Sequence, residues 1–395
     1  MIIINRLVIG GVAINSLEVI KALKSEFHLI LVTGSRNEDE FELPVTGEYS
    51  GNYELVRIPG LQRSINPLND LKALLSLRSL ILERKPSIVH TIGAKPGFLG
   101  RLAAKLCRVP IIIHAYHGHV FSAYFNPLLS AIVVGLEKLS ARWTTAIISV
   151  SKKQIVELAE KYHIASKEKM FYLPIGINHQ NFHDETGKKR AAFRQKYLLD
   201  DDEIAIGIIG RIVPVKDHVF FLDIVQRTIH RNSKIRYFVI GDGEKLRLKL
   251  EQLAAEKGID FTYFPKHPRK AFLTFTSWLS QMDVVMAGLD IISLTSKNEG
   301  TPLSIIEAGL MAKPVVATDV GAVDEVMLPG ITGYIIKHGD LDRFVTRLLS
   351  LTEDSSLRRK MGSEGKRYAT GRFGIEKQVK ATRDLYNALL EKLPD

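Results

Sequence analysis

Short runs of β-branched residues alternate with longer amphipathic segments along almost the whole chain, and this alternation restricts the possible folds more than any other sequence feature. In the first half the runs lie at residues 28–33, 87–91, 109–115 and 144–150, and they are apolar on both faces. Strands buried between two layers of helices have this pattern, whereas a half-exposed strand alternates apolar and polar residues. The first half therefore predicts a doubly wound α/β domain with a parallel sheet.

Two domains are expected for a chain of 395 residues, because a single hydrophobic core rarely organises that length. The alternation pauses around residues 174–178, and a polar stretch follows to residue 194, which we interpret as the linker. Strand-like runs then resume at 204–210, 235–241, 261–264, 290–295, 314–317 and 333–336. We predict Rossmann-like domains over residues 1–180 and 181–372. The last helix, residues 373–395, is predicted to cross back to the first domain.

The overall composition is that of an ordinary globular protein, with 46% hydrophobic and 25% charged residues. The single cysteine, Cys107, excludes a disulfide or a cysteine-based zinc site within one chain and is typical of a reducing compartment. The most apolar helical stretch, residues 128–136, is shorter than the ~20 residues that span a bilayer. The N-terminus enters a strand-like run without the pattern of a signal peptide. The sequence therefore predicts a cytoplasmic protein.

Positive charge is concentrated in one region, residues 84–153, which we call the basic window. The chain has a net charge of +11, and this window holds ten Lys or Arg residues against one acid, Glu137. Three interpretations stay open: a solvated basic face, peripheral contact with the cytoplasmic face of an anionic membrane, and a phosphate-bearing acceptor. Nucleic acid is not expected as a partner, because the sequence has neither a binding module nor interleaved aromatic and basic residues.

The richest motif, residues 296–309, runs from the end of a predicted strand into a helix. Thr301 suits the N-cap position, and Pro302 suits the first helical position, where its missing N–H has no consequence. Gly300 lets the backbone approach a ligand closely, and the N–H groups of the first turn, with the helix dipole, form an anion site. We expect a diphosphate to bind there.

Two glutamates flank this predicted helix start. Glu307 lies about 7 to 8 Å along the helix axis from Pro302, at ~1.5 Å per residue. Its carboxylate could accept hydrogen bonds from both hydroxyls of a ribose. Glu299 precedes the N-cap, and its side chain is expected to face the sugar end of the bound ligand. The alternative is that Glu307 is an ordinary carboxylate on the helix surface.

A second motif, Gly210-Arg211-x4-Lys216, also lies between a strand and a helix. The rigid guanidinium of Arg211 and the mobile charge of Lys216 could neutralise a diphosphate without a metal ion and stabilise it as a leaving group. Exposed Arg and Lys are common, so the pair could equally face solvent.

Two glycine-rich turns follow other predicted strands. Gly241 and Gly243 permit a tight turn after the strand at 235–241. Gly10 and Gly11 precede the first helix and could admit a phosphate, although any tight turn between a strand and a helix could use them.

His117 and His119 follow a buried strand of the first half. An imidazole there could hydrogen-bond a sugar hydroxyl or act as a base. A metal site is disfavoured, because no carboxylate accompanies the two histidines. A structural role is a better expectation for His119 than for His117.

Taken in order, the Gly-Gly turn, the His-Gly-His strand end, Gly-Arg-x4-Lys, Gly-Asp-Gly and Glu-x7-Glu resemble the retaining glycosyltransferases of family 4. The likeness covers nearly the whole chain and implies the GT-B fold, in which two Rossmann-like domains face a central cleft, the first binding the acceptor and the second the nucleotide-sugar donor. Its most specific part is residues 298–307 with the following 313–318. This part is similar to the donor-binding signature of bacterial members that build surface polysaccharides or glycolipids.

The resemblance implies roles for residues in this donor-binding region. Arg211 and Lys216 would hold the diphosphate, and Glu307 would hold the ribose. Glu299 would contact the donor sugar, and the amides from Gly300 to Leu303 would hold its sugar-phosphate end. The family's chemistry implies retention of anomeric configuration, with the departing diphosphate helping to deprotonate the acceptor, and no metal or other cofactor.

In the first domain, His117 matches the family's sugar-contacting histidine. The segment after His119, which contains Tyr124, is placed where family members meet lipid or glycan acceptors, and core packing explains it equally well. One departure is Asp217, which follows Lys216 where Gly or Asn is frequent.

The first hypothesis is thus a retaining, metal-independent hexosyltransferase that uses a nucleotide diphosphate sugar, for example UDP-N-acetylhexosamine. Its acceptor would be lipid-linked or a glycan in cell-surface polysaccharide or glycolipid synthesis. Two alternatives stay open. A nucleotide-sugar 2-epimerase would have the same architecture but needs more carboxylates in motif positions. A non-catalytic subunit would bind the sugar nucleotide without turning it over.

Overall fold

The computed structural model of the chain describes residues 1–8, 10–35, 43, 53–62, 66–118, 127–184 and 186–393. The chain divides into two compact units. The first unit comprises Met1–Gly176 and Ile375–Asp395, and the second comprises Ile177–Gly374.

The first unit is built on a seven-stranded parallel sheet with the order β3-β2-β1-β4-β5-β6-β7. Its strands are β1 (Ile2–Arg6), β2 (Leu29–Gly34), β3 (Tyr53–Arg57), β4 (Ile88–Ile92), β5 (Ile111–Tyr116), β6 (Ala146–Ser149) and β7 (Met170–Tyr172). Its first helices are α1 (Gly11–Leu23), α2 (Pro67–Arg84), α3 (Ala94–Leu106), α4 (Pro127–Ala141) and α5 (Lys152–Val156), which continues as a π-helical turn. The inner strands are buried on both faces, as the apolar runs predicted.

The second unit repeats this architecture, with a seven-stranded parallel sheet of order β10-β11-β9-β8-β12-β13-β14. Its strands are β8 (Ile204–Ile209), β9 (Ile235–Ile240), β10 (Phe261–Tyr263), β11 (Leu273–Phe275), β12 (Ile291–Leu294), β13 (Val315–Thr318) and β14 (Gly333–Ile336). Its helices are α6 (Lys188–Lys196), α7 (His218–Thr228), α8 (Glu244–Glu256), α9 (Met282–Gly288), α10 (Leu303–Leu310), α11 (Val323–Val326), α12 (Leu341–Glu353) and α13 (Ser355–Arg372). Two doubly wound parallel sheets confirm the predicted α/β fold class.

The last helix, α14 (Ile375–Leu390), belongs to the first unit. Val379, Leu385 and Leu389 of α14 join the apolar core that α1 forms on one face of the first sheet. The amide of Gln378 exchanges hydrogen bonds with that of Asn15 on α1. Both apolar packing and a buried polar contact therefore hold α14 on α1.

The linker prediction was wrong in part. Within the polar stretch 179–194 the structure begins helix α6, which is part of the second unit and packs against α9. Phe193 and Arg194 of α6 are only 2% and 4% exposed, and Arg194 donates to Asp290 and to the carbonyl of Glu203. The helix escaped sequence analysis because most of its residues are polar and face solvent.

Three short strands were also missed. The edge strand β3 is partly exposed and contains Glu54 and Arg57, so it lacks the apolar run on which the other predictions were based. Strands β7 and β11 have only three residues each, which is too short for a periodic signal.

Candidate functional site

The carboxyl ends of β8, β9 and β12 carry most of the predicted donor-site residues of the second unit. Because β8 lies between β9 and β12 in a parallel sheet, the loops after these three strands are neighbours. Gly210 follows β8, and Gly241 follows β9 with a φ of 135°. A Cβ on Gly241 would lie 2.0 Å from the carbonyl oxygen of Gly210, so the two turns touch through their backbones. A Cβ on Gly243 would lie 2.4 Å from the carbonyl oxygen of Ile212.

The structure brings Lys216 and Glu299 together. Lys216 Nζ lies 2.6 Å from Glu299 Oε1, and the two side chains are only 21% and 11% exposed. The hydroxyl of Ser296 donates to the same Oε1 atom at 2.5 Å. On its way to Glu299 the side chain of Lys216 passes over Gly210, where a Cβ would lie 3.2 Å from its Cε atom. The lysine is therefore held by a carboxylate at one end and by a glycine along its stem.

The backbone around this ion pair is fixed by the end of β12. The hydroxyl of Thr295 donates to the carbonyls of Lys216 and Asp217, at 3.0 and 3.1 Å. The N–H of Lys297 donates to the carbonyl of Val215 at 2.8 Å. These hydrogen bonds thus hold the loop after β8 and the loop after β12 together. Sequence analysis missed this connection because the bonded residues are about eighty positions apart.

Asp217, which departs from the family pattern, has a left-handed backbone with a φ of 48°. Gly and Asn adopt this conformation most readily, which explains their frequency at this position. Asp217 uses its carboxylate instead: Oδ1 accepts from the N–H of Phe220 and caps α7. Its Oδ2 lies 2.9 Å from His338 Nε2 and 3.3 Å from Lys297 Nζ. The substitution therefore adds a contact to the loop after β14.

Helix α10 begins one residue later than predicted. Its N-cap is Pro302 and its first residue is Leu303, so the assignment of Thr301 as N-cap and Pro302 as first helical residue was wrong. No side chain makes a capping hydrogen bond to this helix start, so its first N–H groups are not occupied by a cap. The carbonyl of Gly300, two residues before Pro302, accepts from the N–H of Ala322 at 3.3 Å. A backbone loop therefore supports the segment that leads into the helix.

Glu307 lies in the middle of α10 and is partly exposed. Desolvation by the surrounding protein raises the pKa of its carboxyl to about 7. Among the residues that the structure describes, none donates a hydrogen bond to this carboxyl. A carboxyl in such surroundings gains more from a bound hydroxyl donor than an exposed one does.

Arg211 follows Gly210 and is exposed. Its predicted contact with the diphosphate stays a prediction.

In the first unit, His117 follows β5 and is partly exposed as a residue. Its Nδ1 atom is buried without a partner among the described residues. Burial lowers the pKa of His117 to about 4, so the ring is neutral near pH 7. A neutral imidazole can donate one hydrogen bond and accept another.

The other predicted residues of the first unit are less informative. Gly10 is the N-cap of α1, and Gly11 is its first residue. A Cβ on Gly10 would lie 3.9 Å from the carbonyl oxygen of Val8, so sterics do not require glycine there. His119 and Tyr124 lie outside the described residues.

In the ranges given above, no group of three or more His, Cys, Asp or Glu side chains is arranged to hold a metal ion. No described helix is both long enough and apolar enough to cross a bilayer.

Two protein families match consecutive parts of the chain. Residues 9–181 match the family described as Glycosyltransferase Family 4, and residues 189–368 match Glycosyl transferases group 1. A similar curated protein is the UDP-Gal:alpha-D-GlcNAc-diphosphoundecaprenol alpha-1,3-galactosyltransferase of Escherichia coli. The two chains are 26% identical over 346 residues, which are 87% of this chain and 86% of that one.

Two solved structures are similar over almost their whole length. The sucrose-phosphate synthase of Thermosynechococcus elongatus has a TM-score of 0.82 at 17% identity, with 99% of each chain covered. Anabaena Alr3699/HepE in complex with UDP and glucose has a TM-score of 0.79 at 16% identity, again with 99% of each chain covered. Likeness at this identity establishes the shared fold.

Proposed function

We propose, because this chain belongs to glycosyltransferase family 4 and has the GT-B fold, that it transfers a sugar from a UDP-sugar to a lipid-linked or glycan acceptor with retention of anomeric configuration. The Escherichia coli relative is named for a UDP-sugar donor and a lipid-linked acceptor, and the Anabaena relative was solved with UDP. These names support a uridine nucleotide and a lipid-linked acceptor for this chain.

One observation carries the donor assignment. Lys216 forms an ion pair with Glu299, and Glu299 lies four residues before Leu303, where α10 begins without a side-chain cap. A diphosphate at this helix start would gain the first-turn amides and the positive end of the helix dipole. The ammonium group of Lys216 would contact the same diphosphate, and Arg211 would add a second positive charge. Glu307, farther along α10, would accept the ribose hydroxyls.

The proposed chemistry needs no metal ion. The acceptor hydroxyl attacks the anomeric carbon from the face on which the diphosphate leaves. The new bond joins the acceptor oxygen to this carbon, the bond to the diphosphate oxygen breaks, and the hydroxyl proton passes to the departing diphosphate. Arg211, Lys216 and the amides of α10 would stabilise the negative charge that develops on that group.

Incubation with a panel of nucleotide sugars and acceptors tests this function. We expect UDP release that depends on an acceptor, and a product whose anomeric configuration, read by proton NMR, equals that of the donor. Product of inverted configuration would contradict retention. Release of another nucleoside diphosphate would contradict the UDP assignment.

The 2-epimerase alternative is not favoured, because both matching families consist of glycosyltransferases. An epimerised donor that appears without any acceptor would revive it. A binding subunit without activity would hold UDP but release none in the same panel.

We also propose that the first unit docks on the surface of an anionic membrane through helix α4. Leu128, Ile132, Leu136 and Leu139 form one stripe on this helix and are 75%, 53%, 39% and 40% exposed. Exposed apolar stripes of this kind are uncommon on soluble surfaces and mark interaction sites. A bilayer surface fits the stripe, because a lipid-linked acceptor would be presented there.

The charge around α4 favours anionic lipids. Glu137, the single acid of the basic window, is 5% exposed and pairs with Arg101, which is 0% exposed. Because Glu137 is buried and paired, its negative charge does not offset the positive charge of the exposed Lys and Arg side chains in the basic window. Each exposed Lys or Arg near an anionic bilayer contributes about 1 kcal/mol to binding.

A further inference from the structure

A cavity with both apolar and polar side chains in its wall lies inside the first unit, between the parallel sheet and helices α1 and α14. Its volume is about 30 Å³, and His90, His117 and Tyr386 are part of its wall. At roughly 10–15 Å³ per water, it holds on the order of two or three water molecules and no sugar ring. The contents of the cavity therefore touch His117, the proposed substrate-binding histidine.

Several polar side chains of the cavity wall already have partners. Asn15 and Gln378 exchange hydrogen bonds in both directions, at 2.7 and 2.9 Å. Gln378 also accepts from the N–H of Gly176 at 2.6 Å. The hydroxyls of Ser16 and Thr382 donate to backbone carbonyls of their own helices. These hydroxyls keep their lone pairs, which can accept from a water.

Two imidazole nitrogens of the wall have no partner among the described residues, namely His90 Nε2 and His117 Nδ1. His90 is 7% exposed, and its other nitrogen, Nδ1, lies 2.6 Å from the hydroxyl of Tyr386 on α14. Buried polar atoms without a protein partner are normally hydrogen-bonded to water. Both histidines line a cavity that has room for water.

The protonation states give the hydrogen bonds a direction. Burial, with a smaller contribution from the nearby His117, lowers the pKa of His90 to about 3, so His90 is neutral and carries one N–H. Burial raises the pKa of Tyr386, which therefore keeps its hydroxyl proton. A phenol is a stronger acid than a neutral imidazole, so Tyr386 donates to His90 Nδ1. The proton of His90 is then on Nε2, the ring nitrogen that has no protein partner among the described residues.

We infer that water in this cavity carries a hydrogen bond from His90 Nε2–H to Nδ1 of His117, which makes Tyr386 and His90 positioning residues for His117. Tyr386 donates to His90, His90 donates to water, and water donates to His117. Because Nδ1 accepts, His117 has its proton on Nε2. It presents an N–H to the substrate.

This inference rests on the proposed function, in which His117 binds a substrate oxygen. An Nε2–H group can donate to a sugar hydroxyl but cannot accept a proton from the acceptor. The acceptor proton then passes to the departing diphosphate, as the proposed front-face reaction requires. Helix α14 thereby acts on the chemistry of the first unit through Tyr386.

The tautomer of His117 can be measured in the full chain without substrate, by long-range proton–nitrogen NMR, with His117→Gln used to assign the signals. We expect the Nε2–H tautomer in the unmodified protein and a partial or complete change to Nδ1–H in Tyr386→Phe. The matched control is Tyr237→Phe, which removes a buried hydroxyl that is 2.7 Å from Thr228 in the second unit. The control should leave the tautomer of His117 unchanged.

Two results would overturn this hydrogen-bond relay from Tyr386 through His90 and water to His117. One is an Nδ1–H tautomer of His117 in the unmodified protein, and the other is an unchanged tautomer of His117 in Tyr386→Phe. The first result is read from the unmodified protein. Neither result depends on the enzymatic activity.

Kinetics separate the relay from the proposed function. With an active donor and acceptor, Tyr386→Phe should lower kcat by about five- to tenfold with little change in KM, the size expected when one orienting hydrogen bond is lost. Tyr237→Phe should leave kcat unchanged. If His117→Ala keeps full turnover, the proposed role of His117 is wrong. If His117→Ala loses turnover while Tyr386→Phe keeps it, the relay alone is wrong.

Discussion

Lys216 Nζ lies 2.6 Å from Glu299 Oε1, although the two residues are 83 positions apart in the chain. The pair is mostly shielded from solvent, so it holds its geometry better than an exposed ion pair does. Glu299 keeps the ammonium group of Lys216 beside the start of α10 before any donor is bound. A diphosphate would therefore meet a lysine that is already in place, and little side-chain freedom would be lost on binding.

Lys216→Met should lower kcat/KM by roughly 10²- to 10³-fold, because the departing diphosphate loses a preorganised positive charge. Steady-state kinetics with the donor found by panel screening would measure this loss. The matched control is Lys257→Met, which breaks a similarly shielded pair with Asp223 in the same unit and should leave kcat/KM unchanged. Equal effects of the two variants would show that the loss is structural.

Glu307→Gln should change how stability depends on pH. The pKa of Glu307 is raised to about 7 by desolvation, so the folded chain binds more protons than the unfolded chain between about pH 4.5 and 7. The unmodified protein should lose on the order of 2 kcal/mol of unfolding free energy relative to Glu307→Gln as the pH rises through this range. Urea unfolding at several pH values would measure it, and a constant difference between the two proteins would contradict the prediction.

Ile132→Glu should weaken binding to vesicles of anionic lipid by about tenfold or more, because it places a negative charge in the apolar stripe of α4. Vesicle cosedimentation at low and high salt would measure this binding, which salt should also weaken. Leu248→Glu is the control, because Leu248 on α8 of the second unit is equally exposed, at 53%. Equal binding to zwitterionic vesicles would contradict the choice of an anionic surface.

Glu137→Ala should lower the unfolding free energy by about 3–5 kcal/mol, because it leaves the buried guanidinium of Arg101 without its charge partner. The hydroxyl of Tyr116 also donates to Glu137, at 2.6 Å, and would lose its acceptor. Urea unfolding would measure the change. The exposed pair of Arg227 and Asp342 is the comparison, and Asp342→Ala should cost less than about 1 kcal/mol. Similar losses would show that the buried cluster contributes no more than a surface pair.

The inner strands and the fold class could be predicted because their signals are local. A strand buried on both faces must be apolar at almost every position, as the runs that became β5 and β12 are. Edge strand β3 has a neighbour on one side only and tolerates charge, so it left no such run. Helix α6 was read as a linker because only a few of its side chains are buried.

The sequence by itself determined the two sheets of helix-covered parallel strands and the clustering of Glu299, Gly300 and Glu307 around one helix start, because these features depend on residues close together in the chain. Only the tertiary structure decided that Lys216 pairs with Glu299 and that Tyr386 of the last helix reaches His90. Such contacts depend on which strands become neighbours and on where a distant helix packs. That information is spread over the whole core and has no local pattern.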